Sequence, residues 1–272
     1  MENLPLLAAM AAMLMVLGAI AGVLAGLLGV GGGIILVPAF LFVFQLLGYD
    51  SPQVMQICLA TSLATIIVTS ARSVFSHDKR GAVDWSILKV WAPGLMIGAL
   101  VGVFVASALR SEVLQMIFAG LALLVGLYIT FGRTRWRLGQ RMPDKGLTAV
   151  LSPITGLLSV LLGIGGGSLG VPVMTLHNVP IHRAVGTSAG FGMIIAIPSV
   201  VAFGFVDVAV APPGTIGAVN LIAFGLIVGM TLLTAPLGVA LAHRLDPAPL
   251  KRIFGIFLIA MALNMLRKLA GW

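Results

Sequence analysis

Three long intervals of the chain contain no charged residue, and they constrain the fold more than any other feature. They run from Glu2 to Asp50, from Lys145 to Arg183 and from Asp207 to Arg244. A helix needs about 20 predominantly apolar residues to cross a bilayer, so each interval has room for at least one crossing. Only 9% of the 272 residues are charged, whereas a soluble domain carries about 25%. The sequence therefore predicts an all-α polytopic membrane protein whose surroundings are the lipid bilayer.

The net charge of +8 is explained by membrane topology rather than by nucleic-acid binding. Positively charged residues gather in short cytoplasmic loops of membrane proteins, and a cluster of them lies between Arg133 and Lys145. The single cysteine, Cys58, excludes an internal disulfide. The N-terminus has no basic region before its first apolar run, which predicts a retained span rather than a cleaved signal peptide.

Four blocks of similar sequence occur in the same order in the two halves of the chain. The run "GVGGGIILVP" (29–38) matches "GIGGGSLGVP" (163–172), Thr61-Ser62 matches Thr187-Ser188, "GAVD" (81–84) matches "GAVN" (217–220), and a spaced set that begins at Gly102 matches one that begins at Gly238. Self-similarity at a long period indicates structural repeats. We predict a first transmembrane repeat over residues 1–132, a basic cytoplasmic linker over 133–146 and a second transmembrane repeat over 147–272.

Each half is predicted to contain an apolar helix that ends at the glycine run, a shorter apolar segment and three long transmembrane helices. The predicted segments are 4–28, 34–47, 54–75, 87–109 and 113–131 in the first half, and 147–162, 168–176, 184–205, 218–242 and 250–266 in the second.

The distribution of basic loops predicts that the two repeats are inverted. Lys79 and Arg80 lie in a first-half loop whose counterpart, residues 207–217, has no basic residue, and the bias is reversed in the next pair of loops, at residues 110–112 and 244–252. If basic loops are cytoplasmic, equivalent loops lie on opposite faces, as in inverted-topology repeats. Inversion requires an odd number of crossings in each half. The glycine-broken segments are then either re-entrant pairs or short full spans, and the sequence does not choose between them.

The two glycine runs predict an anion site near the bilayer midplane. They comprise Gly31, Gly32 and Gly33 in the first half and Gly165, Gly166 and Gly167 in the second. Consecutive glycines let the backbone leave the helical conformation, and the next helix then begins with free N–H groups that favour an anion. Irregular backbone at membrane depth is tolerated only where it is buried or lines a cavity. The alternative is that these glycines let helices pack closely.

Paired hydroxyls are expected to complete the oxyanion site. Thr61, Ser62, Thr187 and Ser188 occupy matching positions in the two halves. Each could instead bond to its own helix backbone. All eight acidic residues lie near predicted helix ends, and intramembrane carboxylates are the usual relays for cations and protons. We therefore expect an anionic substrate, no metal and no cofactor.

Two motifs of soluble enzymes also match the second glycine run. "GGGSLG" (165–170) fits the dinucleotide pattern, but no acidic residue follows before Asp207, and the pattern requires one about 20 residues on. "GGSLG" fits the nucleophile elbow around Ser168, yet Ile34 stands at the matching position of the first half. We expect no enzyme activity, with a serine hydrolase that uses Ser168 and either His177 or His182 as the distant alternative.

The repeated glycine blocks, followed by "ATSLA" (60–64) and "GTSAG" (186–190), resemble the sulfite exporter TauE/SafE family, also called the 4-toluene sulfonate uptake permease family. "HDKRGAVDW" (77–85) and "LGVALAHRL" (237–245) extend the resemblance over nearly the whole chain. The resemblance implies an all-helical inner-membrane carrier of bacteria that moves sulfite or sulfur-containing organic anions. It places the core of the site at the residues 31–33, 61–62, 165–167 and 187–188. The first half has Ala60 where the second has the family-like Gly186, so the two halves need not contribute equally.

We predict a secondary transporter for a small sulfur-containing anion, working by alternating access between the halves. A passive anion channel, and a non-transporting sensor or scaffold that binds a partner through the basic linker, remain alternatives. The sequence does not give the direction of transport, the coupling ion, the exact substrate or the oligomeric state, and a homo-oligomer stays open.

Overall fold

The computed structural model describes residues 4–28, 33–132, 139–242 and 247–271. These residues form ten helices and one short hairpin. The helices are α1 (Leu4–Leu28), α2 (Gly33–Leu46), α3 (Val54–Asp78), α4 (Trp85–Ala108), α5 (Ser111–Phe131), α6 (Lys145–Leu161), α7 (Gly167–Leu176), α8 (Ile181–Phe203), α9 (Leu221–Ala242) and α10 (Pro247–Leu269). The hairpin pairs β1 (Thr215–Ile216) with β2 (Val219–Asn220) in antiparallel register. The predicted helices are confirmed, with ends shifted by at most three residues.

Five of the described helices are long and apolar enough to cross a membrane. They are α3, α4, α5, α8 and the Leu221–Gly238 part of α9. The chain is therefore a multi-pass membrane protein. α3 is the most enclosed of these helices, and α5 and α9 are the most exposed, so α3 lies at the centre of the bundle.

The first helix of each half packs against a helix of the other half, and the two run in the same direction. On α1, a Cβ added to Gly18 would lie 3.1 Å from Cα of Ile227 on α9, and the next glycine one turn on, Gly22, faces Thr231. α4 and α6 make the corresponding pair, in which Gly98 faces the backbone of Pro153. Small residues at helix interfaces let backbones approach closely in membranes. These glycines therefore join the two halves.

The bundle is completed by two antiparallel helix pairs. α3 packs against α8 at the centre, and α5 packs against α10. The rings of Trp91 on α4 and Phe191 on α8 stack with centroids 5.3 Å apart. Both side chains are fully buried, so this stack belongs to the core between α4 and the central pair.

The start of α9 differs from the prediction, because residues 218–220 belong to the hairpin and not to the helix. Gly217 has φ +55° and approaches the Gly204 carbonyl too closely for a side chain, so the chain turns there. The Asn220 side chain then accepts a hydrogen bond of 2.8 Å from the Ala223 amide. Such a bond caps the first turn of a helix, which explains why α9 begins at Leu221.

Candidate functional site

The start of α2, at the end of the first glycine run, contacts the second glycine break inside the bundle. The second break is the turn between α6 and α7, where Gly163 has φ +55°, and the first precedes α2. A Cβ added to Gly33 would lie 2.9 Å from the Gly163 carbonyl oxygen, and one added to Gly163 would lie 2.5 Å from Cγ2 of Val37. Gly31 and Gly32 lie outside the described residues. The contact therefore joins the start of α2 to the turn before α7.

Ser62 contacts both the start of α2 and the turn before α7. Its hydroxyl on α3 lies 2.7 Å from the Gly163 carbonyl oxygen and 3.3 Å from the Gly33 carbonyl oxygen, and it donates to both. The residue is fully buried. A serine hydroxyl has one proton, so the shorter bond to Gly163 is the stronger one. Ser62 thus links backbone segments of both halves at the centre of the bundle.

The second glycine run packs tightly on the central helices. A Cβ on Gly166 would collide with the Cβ of Phe191, and a Cβ on Gly165 would lie 3.1 Å from Cγ2 of Ile66. Gly167 is the first residue of α7 and is buried. These contacts favour close packing as one role of the run. The first amides of α7 make no hydrogen bond to a backbone carbonyl among the described residues.

Ser168, in the first turn of α7, has a buried hydroxyl without a partner. The residue is 7% exposed, and its Oγ makes no hydrogen bond. A buried polar group left unpaired costs about 1–3 kcal/mol, so its retention there needs a reason. Ser70 on α3 is also buried and lies beside the same turn, against Gly165 and Gly192. The sequence analysis missed Ser70, because no repeat or motif marks it.

Thr61 and Thr187 bind backbone amides of the opposite half. The Thr61 hydroxyl accepts a hydrogen bond of 3.0 Å from the Asn220 amide, and the Thr187 hydroxyl accepts one of 2.9 Å from the Asp84 amide. Asp84 and Asn220 end the matching "GAVD" and "GAVN" blocks. The two bonds are therefore equivalent contacts, one at each end of the central helix pair.

The other hydroxyl of the second pair bonds within its own helix. Ser188 donates to the Val185 carbonyl at 2.9 Å, as does Thr65 to the Ser62 carbonyl at 2.7 Å. Ser188 still lies close to α7, because a Cβ on Gly170 would be 3.4 Å from the Ser188 Cβ. Ser188 therefore lies beside the second break, but its hydroxyl makes no hydrogen bond to it.

The contact at Asp84 is charged, whereas the contact at Asn220 is neutral. Asp84 caps α4 by accepting from the amides of Ser86 and Ile87, and a carboxylate oxygen lies 3.1 Å from a guanidinium nitrogen of Arg183. A hydrogen bond from the Ser86 hydroxyl is the main cause that holds the pKa of Asp84 below its ordinary value, and Arg183 contributes to the same shift. At the opposite end, Gln53 binds the Asp207 carbonyl and the Ala209 amide instead.

We expect Asp84→Asn to lower the stability of the protein at neutral pH by about 0.5–1 kcal/mol, the value of a half-exposed ion pair. Asparagine caps a helix as well as aspartate, so the substitution removes mainly the pair with Arg183. Because the folded pKa is lowered, the contribution of Asp84 is complete above its ordinary pKa and is lost as the pH falls through the folded value. Thermal unfolding in detergent from pH 3 to 8 should show the difference between wild type and variant shrinking in acid.

Asp144→Asn is the matched control for this prediction. Asp144 caps α6 through the Leu147 amide at 2.9 Å and makes no salt bridge among the described residues. An equal loss of stability in both variants would show that the ion pair with Arg183 contributes nothing.

In the serine hydrolase alternative Ser168 would act with His177 or His182, and the structure places Ser168 and His177 at opposite ends of α7. His177 follows α7, and its Nδ1 lies 2.8 Å from the Val173 carbonyl oxygen. Ser168 is nine residues earlier, about 13 Å away along a helix axis. In the part of the chain that the structure describes, no group of three or more acidic, histidine or cysteine residues could hold a metal ion.

Comparisons with known proteins agree on one family. The model of the family described as sulfite exporter TauE/SafE matches residues 14–265. A probable membrane transporter protein of Haemophilus influenzae is 32% identical over 262 residues, which covers 93% of this chain and 97% of the relative. A probable membrane transporter protein of Methanocaldococcus jannaschii is 26% identical, covering 93% of this chain and 94% of the relative. No solved structure matches the chain.

The matched region includes both glycine breaks and both threonine–serine pairs. It also includes the blocks at residues 81–84 and 217–220, whose last residues bind Thr187 and Thr61. The chain belongs to the sulfite exporter TauE/SafE family.

Proposed function

We propose that the protein is a secondary transporter of the bacterial inner membrane for a small sulfur-containing anion, sulfite or an organosulfonate. The observations that carry the proposal are the contact between Gly33 and the Gly163 turn and the unpartnered hydroxyl of Ser168 in the first turn of α7. The family and the names of the relatives support transport.

In this proposal the anion binds at the start of α7. The N-terminus of a helix carries about half a positive charge, and its free amides bind oxyanions. The amides of Gly165, Gly166 and Gly167 supply donors, and Ser168 supplies a hydroxyl that has no other partner. Gly33, with Gly31 and Gly32 before it, supplies the opposite side of the site, because Gly33 contacts the turn at Gly163.

The paired hydroxyls take different roles in the proposed site. Thr61 and Thr187 accept bonds from the opposite half, and each has a proton that no acceptor among the described residues engages. Ser62 and Ser188 donate to backbone carbonyls in the present state. When the anion enters, these two serines exchange a carbonyl for an anion oxygen. The site is then neutral in its side chains, and backbone dipoles provide the attraction.

We propose that the two halves are inverted repeats and that the broken segments are re-entrant pairs. α1 runs parallel to α9, which starts at Leu221, and α2 returns to the same end, where Gln53 contacts the Asp207 carbonyl. α6 runs parallel to α4, which starts at Trp85, and α7 returns to that end, where the Leu176 carbonyl accepts from the Gly139 amide. The two pairs then enter from opposite faces, and three crossings remain in each half.

The charges orient this arrangement in the membrane. Lys79, Arg80 and Arg183 lie at the end where α4 and α6 begin, together with the linker of residues 133–146. Arg110, Arg267 and Lys268 are the basic residues at the other end. Because basic residues favour the cytoplasmic side, we place the linker in the cytoplasm.

Alternating access then follows from the equivalent contacts at the two ends. Thr187 with Asp84 closes the cytoplasmic end, and Thr61 with Asn220 closes the outer end. Both contacts are formed in the present structure, which in this proposal is the occluded state of the carrier. Opening one contact at a time would expose the anion to one side at a time, which distinguishes a carrier from a channel.

The proposal is tested by counterflow in proteoliposomes. Vesicles loaded with unlabelled sulfite and diluted into a trace of labelled sulfite should transiently accumulate the label, because a carrier exchanges substrate across the membrane. The same experiment with taurine and sulfoacetate tests the organosulfonates, and phosphate and acetate serve as control anions. Equilibration without accumulation would identify a channel. Complete absence of flux for every sulfur-containing anion would favour the scaffold that acts through the linker.

A further inference from the structure

A polar cavity of about 410 Å³ lies away from the glycine breaks, between α2, α5 and α10. It is situated at the end of the bundle where α3 and α5 begin and α10 ends, which is the outer end in the orientation proposed above. Its walls come from both halves of the chain. None of the residues proposed to bind the transported anion lines it, so whatever occupies this cavity is independent of the proposed transport site.

The cavity combines charges of both signs. Asp50 and Glu112 contribute carboxylates, and Lys268 contributes an ammonium group. Glu112 pairs only loosely with Arg110, at 3.5 Å between two exposed side chains. Gln45 donates weakly to Asp50 at 3.4 Å. The carboxylates therefore keep acceptor capacity for a ligand.

Ser51 supplies an unpartnered hydroxyl in the cavity wall. The residue is 8% exposed, and its Oγ is buried without a hydrogen bond. It follows Asp50 directly in the turn between α2 and α3. An enclosed hydroxyl beside a carboxylate, both lining one cavity, indicates a site for a group that donates several hydrogen bonds.

The remaining walls are apolar and continue onto the lipid-facing surface. Leu41 and Met265 are buried in the cavity wall, whereas Phe42 is 52% exposed. The outer faces of α5 and α10 carry exposed Met116 and Leu263. A ligand in the cavity therefore has a route for an apolar tail between the helices and the bilayer.

We propose that this cavity binds the headgroup of phosphatidylethanolamine from the outer leaflet. The primary ammonium of the lipid donates to Asp50, Glu112 and the Ser51 hydroxyl, and Lys268 binds the phosphate. A primary ammonium has three donors, which match these three acceptors. The acyl chains lie along Phe42 and the outer faces of α5 and α10.

The same lining discriminates against the other common headgroups. Phosphatidylglycerol has no ammonium group, so it would leave Ser51 and the two carboxylates without the donors that the proposed ligand supplies. A quaternary ammonium such as that of phosphatidylcholine has no N–H donor, so it would leave Ser51 and the carboxylates unpaired. The cavity is thus selective for a zwitterion with a primary amine.

Native mass spectrometry of the purified full chain tests the proposal, with the three lipids carrying identical acyl chains. Phosphatidylethanolamine should bind about tenfold more tightly than either of the others, the factor expected for one bond to a charged group. Asp50→Asn should abolish the preference, whereas Lys268→Gln should weaken the binding of all three lipids, because each carries the phosphate that Lys268 binds. Both side chains are exposed, so neither variant should impair folding, and an unchanged melting temperature in lipid-free detergent verifies this.

Lys89→Gln is the control, since Lys89 is an exposed lysine in the first turns of α4, near the opposite end. It should retain the preference for phosphatidylethanolamine. Equal binding of the three lipids by wild type, an unchanged preference in Asp50→Asn, or unchanged lipid affinity in Lys268→Gln would overturn the proposal. Binding of free phosphoethanolamine as tightly as the lipid would also overturn it, because the ligand would then be a soluble zwitterion.

Discussion

Ser168→Ala should weaken sulfite transport about 10–100-fold while making the anion-free protein more stable. A hydrogen bond to a charged group contributes about 1.5–3 kcal/mol, and the substitution removes one from the proposed anion. In the anion-free state the same hydroxyl is buried and unpaired, so its removal relieves a desolvation cost of about 1 kcal/mol or more. A residue with only a packing role would not change transport and stability in opposite directions. Counterflow rates against sulfite concentration and thermal unfolding measure the two effects.

Ser159→Ala is the matched control for Ser168→Ala. Ser159 on α6 is fully buried, and its Oγ also lacks a hydrogen-bond partner, but no part of the proposed site uses it. We expect this variant to gain stability in the same way and to transport normally. Equal transport in Ser168→Ala and Ser159→Ala would remove Ser168 from the site.

Gly163→Ala should destabilise the protein by about 3 kcal/mol or more and abolish transport. A non-glycine residue at positive φ costs about 1–2 kcal/mol, and overpacking a core adds about 1–3 kcal/mol. The added Cβ would lie 2.5 Å from Cγ2 of Val37, which is fully buried in α2. A β-branched side chain in a helix has essentially one rotamer, so Val37 cannot turn away. The substitution therefore separates the two breaks.

Gly81→Ala measures the backbone contribution alone. Gly81 has φ +64°, close to the +55° of Gly163, and a Cβ there would meet nothing within 4 Å. This variant should lose only about 1–2 kcal/mol and keep transport, as measured by unfolding in denaturing detergent and by counterflow. If the two alanine variants lost equal stability, the contact between the breaks would contribute nothing measurable.

The helices of this chain were predictable because membrane helices are specified locally. A helix in lipid satisfies its own backbone hydrogen bonds, so apolar runs and glycine breaks define its ends. The prediction for α1, residues 4–28, coincides with the structure, and that for α3 differs only at its last turn. The predicted start of α9 at residue 218 was wrong, because Asn220 stands next to an apolar run in the sequence. In the structure its side chain caps the helix that begins at Leu221.

The contacts between the halves were not predictable from the sequence. The repeats singled out Thr61 and Thr187 and, separately, the blocks that end at Asp84 and Asn220. Nothing in either pattern indicates that each threonine binds the block of the opposite half, because this pairing depends on how the halves pack. The same holds for Ser62, whose bond to the Gly163 carbonyl spans 101 residues of sequence.

Ser168 illustrates a residue for which a sequence motif and the folded chain indicate different chemistry. Its surroundings fit a nucleophile elbow, and Ile34 at the matching position makes it an exception to the repeat. Its proposed role in the anion site rests on a buried hydroxyl without a hydrogen-bond partner. That is a property of the folded chain and not of the sequence pattern. The asymmetry also gives the two breaks different chemistry: a polar start for α7 and an apolar, buried start at Ile34 for α2.

The most direct test of the anion site is anomalous diffraction from crystals of the protein grown with selenite, a heavier analogue of sulfite. We predict that the strongest selenium peak lies within about 4 Å of the Ser168 Oγ, a distance set by one hydrogen bond and one selenium–oxygen bond, between the start of α7 and Gly33. A peak at Arg72, Arg183 or another surface cation, with none beside α7, would contradict the proposal that the glycine breaks form the binding site.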